Sequence, residues 1–159
     1  MPPVSLLRNK DDDTKFGLDP NALVGLKEKA VAAKDVAYCP YSYFRVGCAL
    51  LTEDGTIIVG ANVECASYNV GTCAERCALA KAVTEGYSKF KALAVSTDIT
   101  PPASPCGMCR QLIREFCPLT MPIFMYDKEG SYVVKTLGEL LPMSFGPDDL
   151  KRREARKEL

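Results

Sequence analysis

The sequence predicts a three-layer α/β/α domain on a mixed five-stranded sheet. Three observations carry this. A hairpin pattern is followed by alternating strand and helix patterns, turn signals separate them, and 47% apolar content over 159 residues suffices for one buried core. Asp19-Pro20 is an N-cap with proline at N1, opening a helix through about Ala33 with Leu23, Leu26, Ala30 and Val31 on its apolar side. The run 38-YCPYSY-43 breaks that pattern. Then 44-FRVGCALLT-52 and 57-IIVGANV-63 flank the turn 53-EDGT-56 and form a β-hairpin. After the loop 64–72 comes a helix over 73–85, apolar on most sides and stopped by Gly86. A helix of that kind is expected to be covered on more than one side. A central strand over 90–97 leads through the proline-rich loop 98-DITPPASP-105 into a helix over 106–116. There Cys109, Leu112, Ile113 and Phe116 share an inward face. Strands 122–127 and 132–136, a short helix 137-LGELL-141 and a polar end complete the chain.

The expected organisation is a flexible extension (1–18), one domain (19–150) and a charged tail (151–159). Twenty basic and twenty acidic residues cancel, so no basic excess points to a nucleic acid partner. The runs 11-DDD-13 and 151-KRREARK-157 are expected to be solvated ends. The N-terminus lacks the pattern of a signal peptide, and no apolar run reaches the roughly 18 residues of a membrane span. The expectation is therefore a cytoplasmic protein without a membrane partner, in a compartment where thiols stay reduced. Eight cysteines there suggest metal or catalysis for some and core packing for Cys39, Cys48, Cys65 and Cys117. The chain has no histidine, which removes the usual general base and every imidazole-based metal site.

Cys73 and Cys106 each open a helix after a loop, and Cys109 lies one turn beyond Cys106 on the same face. Such thiols suit tetrahedral zinc. Spacing leaves the fourth position open to two readings. Cys77 would close a structural four-cysteine site, although it sits a full turn back, roughly 5–6 Å along the axis. Water would leave the site open, with Glu75 beside it to move protons. Acidic residues also favour the first turn of any helix, so Glu75 alone decides nothing. Three thiolates on Zn²⁺ leave a net negative charge and raise the pKa of bound water. Such a site needs positive potential, for which the two helix N-termini, Arg76 and Arg110 are candidates.

The segments 73-CAERCAL-79 and 105-PCGMCRQL-112 resemble the zinc nucleoside and nucleobase deaminases, whose signature is H-x-E…P-C-x-x-C. Cysteine in the first position resembles the short cytidine deaminases specifically. So do 40-PYSYFRVGCALL-51, 61-ANVECASYN-69 and 139-ELLPMSFGPDDL-150. The resemblance implies a cytidine deaminase-like fold and a fourth zinc position open to water. It implies hydrolytic deamination of cytidine and 2′-deoxycytidine, with zinc-bound hydroxide attacking C4. Zinc would be held by Cys73, Cys106 and Cys109, with Glu75 as proton shuttle and Arg76 relieving the charge on the ligand sulfurs. Phe44 would pack on the pyrimidine, Asn62 and Glu64 would hold the ribose 3′-hydroxyl, and the backbone around Cys73 and Ala74 would read the base. Ala66 and Tyr68 complete the implied substrate-binding set. A homotetramer is implied, in which Phe145 reaches the neighbouring subunit's site. Cys65 departs from the asparagine common in the family. Independently, an Asn and a Glu two apart at a strand end project alike and suit sugar hydroxyls, and no glycine-rich phosphate cradle is present. The rivals are a deaminase of another aminopyrimidine nucleoside and a zinc-stapled module without catalysis.

Overall fold

A computed structural model describes residues 16–155. Most of the expected N-terminal extension (1–15) and the last residues of the charged tail (156–159) lie outside the described residues. Asp19 caps the first helix by accepting a hydrogen bond from the Asn21 amide at 2.8 Å. The helices are α1 (Pro20–Ala33), α2 (Ala74–Thr84), α3 (Gly107–Phe116), α4 (Leu137–Leu140) and α5 (Pro147–Ala155). The strands are β1 (Val46–Thr52), β2 (Ile57–Ala61), β3 (Phe90–Thr97), β4 (Pro122–Tyr126) and β5 (Tyr132–Thr136). They form one sheet in the order β2-β1-β3-β4-β5. All pairs are antiparallel except β3 and β4, which α3 joins as a crossover. The expected mixed five-stranded sheet is observed.

Alternation along the strands divides the core into two layers. Ala49, Leu51, Ala92, Ala94 and Phe124 face α1, where they meet Leu23, Leu26 and Ala30. Cys48, Leu50, Leu93, Val95 and Ile123 face the other way, against Ala78 and Leu79 of α2 and Ile113 of α3. Leu26 and Leu79 are essentially fully buried, worth about 2–3 kcal/mol each by the area they remove from water. The arrangement is helix, sheet, helices: three layers.

Two glycines let these layers touch. A Cβ on Gly47 would lie 2.1 Å from the Ala30 carbonyl oxygen of α1. One on Gly60 would lie 2.4 Å from the Ala78 amide nitrogen and 2.6 Å from the Ala74 carbonyl oxygen. The first turns of α2 thus rest directly on β2.

Three expectations are corrected. β1 begins at Val46 rather than residue 44, and β2 stops at Ala61 rather than residue 63. The cause is Asn62, whose Oδ1 accepts from the Val46 amide at 2.8 Å while its Nδ2 donates to the Phe44 carbonyl at 2.8 Å. Its side chain takes the place of a ladder partner. α2 is covered on one side only, because Ala80, Lys81 and Thr84 are exposed in the single chain. Cys39 and Cys65 are half-buried loop residues, whereas Cys48 and Cys117 do pack in the core. Helix α5 runs from Pro147 to Ala155, into the segment expected to be a charged tail. Among the described residues no helix is long and apolar enough to cross a membrane.

Candidate active site

Cys73 and Cys106 occupy the N-cap positions of α2 and α3 in extended backbone conformation, and Cys109 is buried one turn into α3. The approach to α2 is fixed by the bridge between Val63 and Thr72 and by Arg76, whose Nη2 donates to the Gly71 carbonyl at 2.9 Å. The approach to α3 is clamped by Arg110. Its guanidinium donates to the carbonyls of Pro105 (2.7 Å) and Leu140 (2.8 Å) and to Ser104 Oγ (2.6 Å). Arg110 was a candidate source of positive potential at the sulfurs; Pro105, Ser104 and Leu140 engage three of its N–H groups.

The sulfurs of Cys73, Cys106 and Cys109 lie within 4.8 Å of one another, and Cys73 is 3.8 Å from Cys106. Zinc–sulfur bonds of about 2.3 Å in a tetrahedron place sulfurs roughly 3.8 Å apart, so the trio fits zinc. Hydrogen bonding from Cys109, then from Cys106 and Arg76, pulls the Cys73 thiol down to about 5 against the opposing effect of burial. Cys109 is pushed up, first by its bond to Cys73 and then by burial. Three thiols so close ionise together only around a cation. Cys77 is not in the cluster, and burial raises its thiol pKa.

Glu75 is 4% exposed. Burial, and after it the charge of Cys73, lifts its carboxyl above the ordinary range, against weaker opposing hydrogen bonds and Arg76. The guanidinium of Arg76 lies close enough to Cys73 to lower its pKa, and Arg76 Nε is buried without a partner.

A cavity of about 440 Å³ joins these groups. Cys73, Glu75 and Cys106 share its wall with three of the expected substrate residues, Phe44, Asn62 and Glu64. Glu64 accepts from the amides of Tyr41 (3.0 Å) and Ser42 (3.2 Å) and from the Ser42 hydroxyl, so it anchors the loop before β1. The Ser42 hydrogen bond, more than any other contact, holds its carboxyl below the usual range. Tyr68 lines a smaller adjoining cavity with Tyr41, Ser42, Glu64 and Cys65. Ala66 is exposed, and Ala74 is fully buried beneath Gly60. Phe145 is 62% exposed and lines neither cavity; Gln111 donates to its carbonyl at 2.9 Å. Sequence reasoning missed Ser42, Thr97 and Ser104, all of which line the larger cavity. Thr97 ends β3, and the tendency of α/β sheets to place sites at the carboxyl ends of strands was the available signal.

A three-thiol cluster at paired helix N-termini, with a buried carboxylate in the same cavity, marks a zinc hydrolase whose metal has three protein ligands. Comparison with known proteins narrows the class. Residues 23–125 match the family model described as the cytidine and deoxycytidylate deaminase zinc-binding region. A cytidine deaminase of Sporosarcina psychrophila is 49% identical over 127 residues, 77% of this chain and 93% of its own length. A probable cytidine deaminase of Dictyostelium discoideum is 40% identical over 132 residues, 82% and 88% respectively. The crystal structure of cytidine deaminase from Burkholderia pseudomallei superimposes with a TM-score of 0.75 at 44% identity, over 77% of this chain and 98% of that one. The chain belongs to this zinc-dependent cytidine deaminase family, and zinc is its cofactor.

Proposed function

We propose that the protein hydrolyses cytidine and 2′-deoxycytidine to uridine and 2′-deoxyuridine, releasing ammonia. The observation that carries this is the buried Glu75 in one cavity with the three-thiol cluster. Zinc held by Cys73, Cys106 and Cys109 supplies the Lewis acidity that makes water a nucleophile near neutral pH. Glu75 accepts the proton of that water as it adds to C4 and delivers it to N3. It then takes the remaining proton from the hydroxyl added at C4 and passes it to the departing amino group, so the C4 carbonyl forms, water is consumed and ammonia leaves. Arg76 offsets the negative charge of the thiolates.

Phe44 covers the pyrimidine face, and the backbone around Cys73 and Ala74 reads the base's polar edge. Asn62 and Glu64 meet the sugar; Asn62 Nδ2 keeps a second proton beyond the one given to Phe44. A test combines metal analysis with an ultraviolet assay on cytidine. Wild type is expected to hold one zinc per chain and deaminate cytidine, and Cys77→Ser to keep its zinc. Loss of metal from Cys77→Ser would restore the four-cysteine staple.

The active form is a cytoplasmic homotetramer acting in pyrimidine salvage. Exposed apolar side chains support the assembly: Tyr38, Tyr41, Tyr43, Val63, Tyr68 and Val70 crowd the loops beside the cavity. Ala66 and Tyr68 lie on this surface, and Phe145 is free to reach a neighbouring site. Sedimentation equilibrium is expected to give four times the 17.3 kDa chain mass. A fully active monomer would remove any need for Phe145 from a neighbour.

A further inference from the structure

Two consecutive hydroxyls at the end of β3, those of Ser96 and Thr97, are buried without a hydrogen-bond partner. Thr97 is 2% exposed and Ser96 is 0% exposed. An unpartnered buried hydroxyl carries its desolvation cost uncompensated. Alternation along β3 sends the two residues to opposite faces of the sheet. Ala92 and Ala94 belong to the layer under α1, so Ser96 follows them there; Leu93 and Val95 belong to the layer under α2 and α3, so Thr97 follows those. Of the two, only Thr97 lines the cavity that holds Glu75, Cys73 and Cys106.

Three other polar side chains of that wall have partners within the chain. The Asn62 amide binds the backbone of β1 and its approach. Glu64 binds residues 41 and 42. Ser104 accepts from Arg110. Thr97 is different.

We infer that the Thr97 hydroxyl is a specificity-determining contact to the pyrimidine, completing its hydrogen bonding on a polar edge of the base when the cavity fills. This rests on the reading of the cavity as a cytidine site. Base rather than sugar follows from strand order. Val46 is the register partner of Thr97 on one side and hydrogen-bonds Asn62 on the other. The sugar-facing residues therefore lie across β1 from Thr97, which sits on the side from which the chain runs on to Cys106.

The test is Thr97→Val, which keeps the shape and the β-branch but removes the hydroxyl, beside Thr97→Ser and Ser96→Ala. Thr97→Val is expected to keep its zinc and to melt at or above the wild-type temperature. Its kcat/KM should fall about tenfold to a hundredfold, equally for cytidine and 2′-deoxycytidine. The thermal stabilisation that uridine gives wild type should shrink with it. Thr97→Ser should recover most of the loss, and Ser96→Ala should leave kinetics unchanged. Wild-type kinetics in Thr97→Val overturn the inference, as does a fall in its melting temperature or failure to fold, since either makes the hydroxyl structural. A wild-type protein inert on cytidine overturns the proposed function instead.

Discussion

Glu75→Ala is expected to bind one zinc per chain, as wild type does, and to deaminate cytidine about 10²–10⁴-fold more slowly. The two results separate because Glu75 is not one of the three clustered thiols yet shares their cavity. With no histidine in the chain, no imidazole can take over the proton transfer. Glu64, the other carboxylate on the cavity wall, is committed to Ser42 and the Tyr41 amide. Glu75→Gln preserves the size and some hydrogen bonding of the side chain but cannot relay a proton, so it should be nearly as slow. Atomic absorption and single-turnover kinetics on the same preparations check both statements. Turnover within a few-fold of wild type would mean that another group moves the proton.

Gly60→Ala is expected to damage the enzyme from outside the cavity. The added Cβ would fall 2.4 Å from the Ala78 amide nitrogen and 2.6 Å from the Ala74 carbonyl oxygen, two backbone atoms that no rotamer change can move aside. Helix α2 must back away on the order of 1 Å, because close-packed interiors absorb little misfit. Its first residues, Cys73 and Glu75, go with it. Overpacking of this kind costs about 1–3 kcal/mol of stability. A displacement of that size at reacting groups can cost about a hundredfold in rate. Thermal melts, zinc content and kcat measured together read the two effects. A variant with native kcat would show that α2 is positioned from elsewhere.

The metal trio was legible because C-x-x-C at a helix start, with another cysteine at a second helix start, is a local pattern whose geometry follows from helix dimensions. The hairpin was legible from 53-EDGT-56, but its ends were not. Where β1 begins depends on Asn62 folding back on Phe44 and Val46 across 16–18 residues, a contact that no local periodicity encodes. Thr97 stayed hidden for a related reason: its place on the cavity wall follows from β3 lying against β1, and strand order is a long-range property. α5 was hidden differently. Proline at its start and Asp148 and Asp149 in its first turn are helix signals, yet with no apolar face its charges read as a tail. Arg110 was placed near the sulfurs because adjacency in sequence cannot say which way a long side chain turns.

Cys73 precedes β3 and Cys106 follows it, 33 residues later. An ion held by both is therefore a cross-link, closing a loop that contains α2 and a central strand. By analogy with a disulfide of that span, closure restricts the unfolded chain by on the order of 3–4 kcal/mol. Metal affinity and fold stability become one coupled quantity. A chelator acting on this protein does more than silence a reagent: it unbuttons the two halves of the sheet whose junction makes the cavity.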